Sequence, residues 1–223
     1  MSSFFDWSLV GQSLVPLAQG MVLGTIPLTI ISFSIGLVLA LVTALSRLSP
    51  VAAFRLPAAA YISAIRGTPL LLQLFIIFFG LPSIGIVLDP WPSAIVAFSV
   101  NVGAYAAETI RGAIIAVPES QWEAATSIGL TRNQALRFII LPQAAKAAIP
   151  SLSNSLISLV KDTSLASVVL VTDLLRKAQE IAAPTYQFFL LYLVAAVYYW
   201  IVCELLNVGQ RKLEKRVSWK AAA

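Results

Sequence analysis

Long apolar runs, divided by short polar stretches that carry almost all the charge, set the pattern of this chain. The run Met21–Leu45 holds no charged residue. It is longer than the ~20 residues that an α-helix needs to cross a bilayer core. Residues 4–19, with Phe4, Phe5 and Trp7, suit an interfacial position. Gly20-x-x-x-Gly24 permits close helix contact, although a single such pattern also arises by chance. Ser49-Pro50 reads as an N-cap with proline at the first helical position, and the next helix is expected over about Pro57–Phe79. Gly67 and Pro69 should kink it, and Gly80 and Pro82 should end it. Asp89 lies in a short loop, and Trp91 suits an interfacial anchor. A third span, about Pro92–Ile115, carries Glu108 and Arg111 near its end. The polar stretch Pro118–Arg137 follows, then a fourth span, about Pro142–Val160, that runs into Lys161-Asp162. An amphipathic re-entrant or peripheral segment, Thr163–Ile181, precedes the last span, about Tyr186–Val208, and a basic tail.

Composition turns these runs into a class. Of 223 residues, 59% are apolar types and only 11% are charged, against roughly a quarter charged in soluble domains. The expected fold is all-α: one polytopic membrane domain over residues 1–223, with about five transmembrane helices and a helical cytoplasmic loop at about 118–137. The chain has no histidine and one cysteine, Cys203. That excludes histidine-dependent catalysis, intrachain disulfides and thiolate metal clusters. No lysine precedes serine or threonine, so the chain has no phosphate-binding loop of the G-x-x-x-x-G-K-[ST] kind. Any nucleotide energy must come from another polypeptide. The net charge of +5 reflects basic cytoplasmic loops rather than nucleic-acid binding. No Lys or Arg precedes Arg47, so the basic region of a cleavable signal is not expected.

Five spans put the termini on opposite sides. One side collects twelve cations, among them Arg47, Arg55, Arg66, Arg111, Arg132, Arg137, Lys146 and the C-terminal group; the other holds Arg176 and Lys177. The positive-inside rule then puts the N-terminus outside, with Pro118–Arg137 and the C-terminus in the cytoplasm.

The cytoplasmic loop carries the most chemistry. Ser120-Gln121-Trp122-Glu123 is a capping-box pattern, and Thr131-Arg132-Asn133-Gln134 is a second. A short helix over about Gln121–Ile128 should end at Gly129, which tolerates a left-handed conformation. Ala124 and Ala125 give it a small-residue face that another protein could approach closely. Glu123-Ala124-Ala125, three residues, Gly129, nine residues and Ile139-x-Leu141-Pro142 resemble the EAA motif of ABC importer permeases. Arg66-Gly67-Thr68-Pro69-Leu70-Leu71-x-Gln73, Ala104-Tyr105-Ala106-Ala107-Glu108-Thr109-x-Arg111 and Ser158–Ala166 resemble the polar amino-acid subgroup. The stretch Phe79–Ala94 is similar to cystine-type permeases. The resemblance implies a coupling helix whose Glu123, Ala124, Ala125 and Gly129 serve docking on a cytosolic ATPase dimer. It also implies a second permease subunit, an extracytoplasmic substrate-binding protein and the bacterial inner membrane. ATP and magnesium would belong to the ATPase, with no cofactor and no catalytic residue in this chain. For Glu123 a plain capping role is open beside the docking role.

Lys161, Asp162, Thr163 and Ser164 group two charges and two hydroxyls where an apolar span ends. A charged residue at the bilayer centre costs ~2.5–3.5 kcal/mol on insertion scales. The four are therefore either a substrate path for an amino acid's ammonium and carboxylate or a helix-end ion pair at the interface. Glu108 and Arg111, three apart, are expected to pair with each other. Tyr198, Tyr199 and Trp200 are expected to pack against other helices, and Cys203 to act as a small buried hydrophobe. An ATPase-independent secondary transporter is the rival reading; it often carries internal repeats, and the chain shows no convincing one.

Overall fold

The computed structural model describes residues 7–219, all helix, turn or irregular backbone with no strand among them. The readings for Phe4, Phe5 and Lys220 lie outside the described residues. Eight helices follow one another: α1 Trp7–Leu48, α2 Ala52–Arg66, α3 Leu70–Ile84, α4 Pro90–Ile115, α5 Glu119–Ser127, α6 Arg132–Val169, α7 Leu174–Thr185 and α8 Phe188–Trp219. Three of them (α1, α4 and α8) are long and apolar enough to cross a membrane. The bent pairs α2–α3 and α6–α7 raise the number to five if each counts as one span, which matches the expected layout.

Helix α1 starts earlier than the expected Met21. No charge falls between Trp7 and Ser46 to end it, and Met21–Thr25 forms a π-helical turn, closed by the Ile26 amide donating to the Met21 carbonyl, rather than a break. The Ser49 reading also changes. Ser49, held extended before Pro50, ends α1, and its Oγ accepts from the Val51 amide at 3.2 Å. Val51 is the N-cap of α2, and Pro57 falls inside that helix.

Lipid tails are as apolar as leucine, so membrane helices associate through close backbone approach rather than hydrophobic burial. The core here is built that way. Ala40 and Ala44 of α1 and Ala94, Ala97, Ala106 and Ala107 of α4 are fully buried around Phe98. A Cβ on Gly36 would stand 2.6 Å from Val102 Cγ1, so α1 and α4 touch where only glycine fits. Outward, Leu23, Val38, Phe189 and Leu205 are largely exposed, as an apolar belt facing lipid requires.

Gly20 and Gly24 also have a definite task. A Cβ on Gly24 would lie 2.2 Å from the Thr172 carbonyl oxygen, and one on Gly20 2.7 Å from that of Asp173. The pattern seats the start of α7 directly on α1. Asp173, fully buried, caps α7 by accepting from the Arg176 amide at 2.8 Å, and its other oxygen accepts from Tyr199 Oη at 3.2 Å. Tyr198 Oη donates to the Leu14 carbonyl at 2.8 Å, while Trp200 points outward, 67% exposed. Cys203 is half-buried rather than buried.

Candidate coupling surface and substrate cavity

Helix α5 hangs between two membrane-crossing elements, and its ends are closed by local chemistry. At its C-terminus Gly129 takes φ +83°. Its amide donates to the Thr126 carbonyl at 2.9 Å, and the Leu130 amide donates to Ala125 at 3.1 Å. This pair of bonds is a Schellman closure, so Gly129 ends the helix as expected. Thr131 and Gln134 form the second capping box: the Gln134 amide donates to Thr131 Oγ1 at 3.4 Å, and the Thr131 amide donates to Gln134 Oε1 at 2.9 Å. The first capping box is absent. The helix starts two residues early, with Pro118 as N-cap and no side-chain cap bond. Ser120 is thereby inside the first turn, and Glu123 is left exposed and free of any capping bond.

One face of α5 is fixed to the bundle. Ala125 is buried, and Trp122 packs with Ile114, Val117, Ile140 and Ala144 under the Arg132 guanidinium. Gln121 Oε1 accepts from Gln143 Nε2 at 3.1 Å. The opposite face presents Glu123, Ala124 and the 74%-exposed Ile128. Helix α5 is thereby packed against residues of both α4 and α6.

The second feature is the break between α2 and α3, which turn from each other by 106° at Gly67-Thr68-Pro69. Proline at 69 removes a donor, and the last carbonyls of α2 lose their helical partners. Gln73 of α3 folds back to serve them. Its Nε2 stands 2.8 Å from the Ile65 carbonyl, 3.1 Å from that of Thr68 and 2.9 Å from Thr68 Oγ1. Asn101 Nδ2 of α4 donates to Gln73 Oε1 at 3.0 Å.

Beside this break opens a cavity of about 460 Å³, lined by Thr68 and Pro69, by Asn101 and Tyr105 of α4, and by Asn154, Ser155, Ser158 and Asp162 of α6. Its size lies in the range of small-molecule sites. The polar stripe on α6 follows helical spacing, which puts these side chains on one face. Of the four residues Lys161–Ser164, Asp162 lines the cavity. Lys161, next along the helix and ~100° around it, is exposed. Thr163 is fully buried, its hydroxyl donating to the Val160 carbonyl at 2.7 Å, and the Ser164 hydroxyl donates to Lys161 at 2.7 Å. These two hydroxyls carry α6 into its 3₁₀ end, Thr163–Val169.

Arg66 moves from the place that charge counting gave it. Fourteen residues of α2 carry it ~21 Å from Ala52. One helical turn earlier, Tyr61 Oη donates to the Val100 carbonyl at 2.6 Å, level with the middle of α4. The Arg66 guanidinium lies 5.3 Å from the centre of the Tyr105 ring at the cavity. Arg66 is therefore a cation at the helix break, not a cytoplasmic loop charge, and the asymmetry becomes eleven to two. Glu108 and Arg111 pair as expected, through two bonds of 3.0 and 2.8 Å, with Arg47 of α1 at 3.9 Å; they lie outside the cavity lining. Sequence reasoning missed Asn101 and Asn154. The readable signal was their place in polar rows at three- and four-residue spacing, Asn101 with Tyr105, and Asn154 with Ser158 and Asp162.

Known proteins decide the class. The family of binding-protein-dependent transport system inner membrane components matches residues 33–219. The chain belongs to that family. It is the membrane permease component of an ABC importer, multi-pass and all-α. The L-cystine transport system permease protein TcyB of Bacillus subtilis (strain 168) is 54% identical over 218 residues, covering 97% of this chain and 93% of that one. The glutamine transport system permease protein GlnP of Escherichia coli (strain K12) is 34% identical over 215 residues, covering 96% and 98%. A crystal structure of an amino acid ABC transporter with histidines superposes with a TM-score of 0.90 at 34% identity, covering 95% of this chain and 99% of that one.

Proposed function

We propose that this permease carries polar amino acids inward, with L-cystine as substrate, in a complex of two permease subunits, two cytosolic ATPases and an extracytoplasmic binding protein. The whole chain acts as one membrane unit, with its N-terminus outside and its C-terminus in the cytoplasm. ATP and magnesium bind the ATPases. The exposed Glu123–Ala124 face docks on an ATPase, Ala125 seats the coupling helix on the bundle, and Gly129 sets its aim. Asp162 supplies the carboxylate that meets the substrate ammonium. Lys161, adjacent to it, balances that charge when the site is empty, and Thr163 and Ser164 hold the turn that positions the pair.

The observation that carries this reading is the joint arrangement of a coupling helix anchored to α4 and α6 and a polar cavity lined by those same two helices. A push on α5 reaches the cavity walls through rigid elements. The L-cystine assignment is supported by the 54% identity to an L-cystine permease over nearly the full length. The test is uptake of radiolabelled L-cystine into proteoliposomes that hold the permease, with and without its ATPase, binding protein and ATP. Uptake only in the complete mixture is expected. Uptake by the permease alone would make it a secondary transporter, and uptake of another amino acid but not L-cystine would overturn the substrate.

A further inference from the structure

The polar bonds around the helix break run in one direction only. Thr68 Oγ1 spends its proton on the Ala64 carbonyl, 2.9 Å away. Towards Gln73 it is an acceptor. Gln73 thus faces three acceptors, the carbonyls of Ile65 and Thr68 and the hydroxyl of Thr68, so its amide nitrogen must be the end that meets them. Its oxygen is then the end turned to α4. Asn101 lies 3.0 Å from that oxygen, so Asn101 must meet it with Nδ2. Reversing either amide would set oxygen against oxygen in a side chain that is only 7% exposed at Gln73, and an unpaired buried polar group costs ~1–3 kcal/mol. Beyond one Nδ2–H left over, what remains of Asn101 is its carbonyl oxygen, held in place by the bond to Gln73, on a side chain that lines the cavity together with Asp162.

We propose that Asn101 is a specificity-determining residue of the cavity: its Oδ1, oriented by Gln73, is a second acceptor for the substrate ammonium beside the Asp162 carboxylate. The inference rests on the cavity being the substrate site. An ammonium has three N–H donors and no acceptor, so a fixed carbonyl oxygen and a carboxylate suit it, whereas a freely rotating amide would offer a donor as readily as an acceptor. Gln73 acts as a positioning residue. The same side chain that closes the broken helix sets which atom of Asn101 the cavity receives, so the fold of the break and the selectivity of the site share one amide.

The test is equilibrium binding of radiolabelled L-cystine to the detergent-purified permease–ATPase complex without binding protein, with N,N′-diacetyl-L-cystine as competitor. The unmutated complex should prefer L-cystine over the diacetylated compound by at least tenfold. Asn101→Leu should lower L-cystine affinity about tenfold, the scale of one hydrogen bond to a charged group, and lower the preference by a similar factor. Gln73→Met should produce a smaller loss of the same kind. Gln73→Glu keeps an oxygen that accepts from Asn101 Nδ2 and so keeps Asn101 oriented, and it should lose less preference than Gln73→Met. If Asn101→Leu assembles poorly, the Gln73 pair decides alone. Unchanged preference in Asn101→Leu, or equal losses in Gln73→Met and Gln73→Glu, would overturn the role of Asn101 while leaving the cavity as the site. No L-cystine binding by the unmutated complex would remove the cavity site, and this inference with it.

Discussion

The loop α5 and the break between α2 and α3 both interrupt membrane helices, and they close their loose backbone ends by opposite means. Around α5 every closing bond is local: Gly129 to Thr126, Leu130 to Ala125, Thr131 to Gln134. At the break the closing group is Gln73, eight residues from the carbonyl it serves at Ile65, and Gln73 is itself held by Asn101, twenty-eight residues further on. A locally closed element keeps its own end bonds paired when it shifts. An element closed by its neighbours ties its own geometry to theirs. The difference suits the roles proposed above, a loop that receives a push and a cavity whose shape follows it.

The largest expected effect lies in the loop. Gly129→Pro fixes φ near −65° where the backbone needs +83°, removes the amide that donates to Thr126 and forces Ile128 to become extended. Uptake should fall more than a hundredfold while the protein stays in the membrane, measured as transport per membrane-inserted copy. Gly129→Ala is far milder, because a Cβ there meets nothing within 4 Å and only the left-handed backbone costs, ~1–2 kcal/mol. Normal uptake in Gly129→Pro would mean that the aim of α5 does not matter.

A middle-sized effect is expected at the break. Thr68→Val removes a hydroxyl that donates to Ala64 and accepts from Gln73. Thermal unfolding of the purified complex should shift down by a few degrees, the scale of losing ~1–2 kcal/mol. Affinity for substrate should change with it, since the amide chain to Asn101 is loosened. A stability loss with unchanged affinity would separate the break from the cavity and weaken the contrast drawn above.

The smallest effects discriminate the two capping boxes that the sequence offers. Thr131→Ala should cost ~1 kcal/mol. Ser120→Ala should cost nothing measurable, because Pro118 rather than Ser120 opens α5. Equal losses at the two positions would restore the Ser120 cap.

The same contrast explains what could be read in advance. The spans, Gly129 and the Thr131 cap depend on residues within one turn of one another, and the apolar runs and turn chemistry displayed them. The Ser120 box failed because Pro118 offers a competing start two residues earlier, and a proline fixes that choice. Arg66 was misplaced because charge counting assigns cations to loops, whereas a helix broken at Gly67–Pro69 ends inside the bundle and brings its last residue to Tyr105. Gln73 and Asn101 were illegible as partners, since no local rule links positions on different helices. In the Lys161–Ser164 group the residue types were readable but not their directions: helical rotation turns Asp162 to the cavity and commits the two hydroxyls to the backbone.

The central claim is that a push on α5 drives substrate past Asp162. Asp162→Asn keeps the shape of the side chain and removes the charge. Substrate uptake per assembled complex in proteoliposomes, measured beside the yield of that complex and its ATP hydrolysis, tests the claim directly. The account predicts at least a tenfold fall in uptake with yield and assembly with the ATPase unchanged, because Asp162 lines the cavity and no residue of α5 does. A lower yield with uptake per complex at the unmutated level would make Asp162 a structural residue and contradict the account.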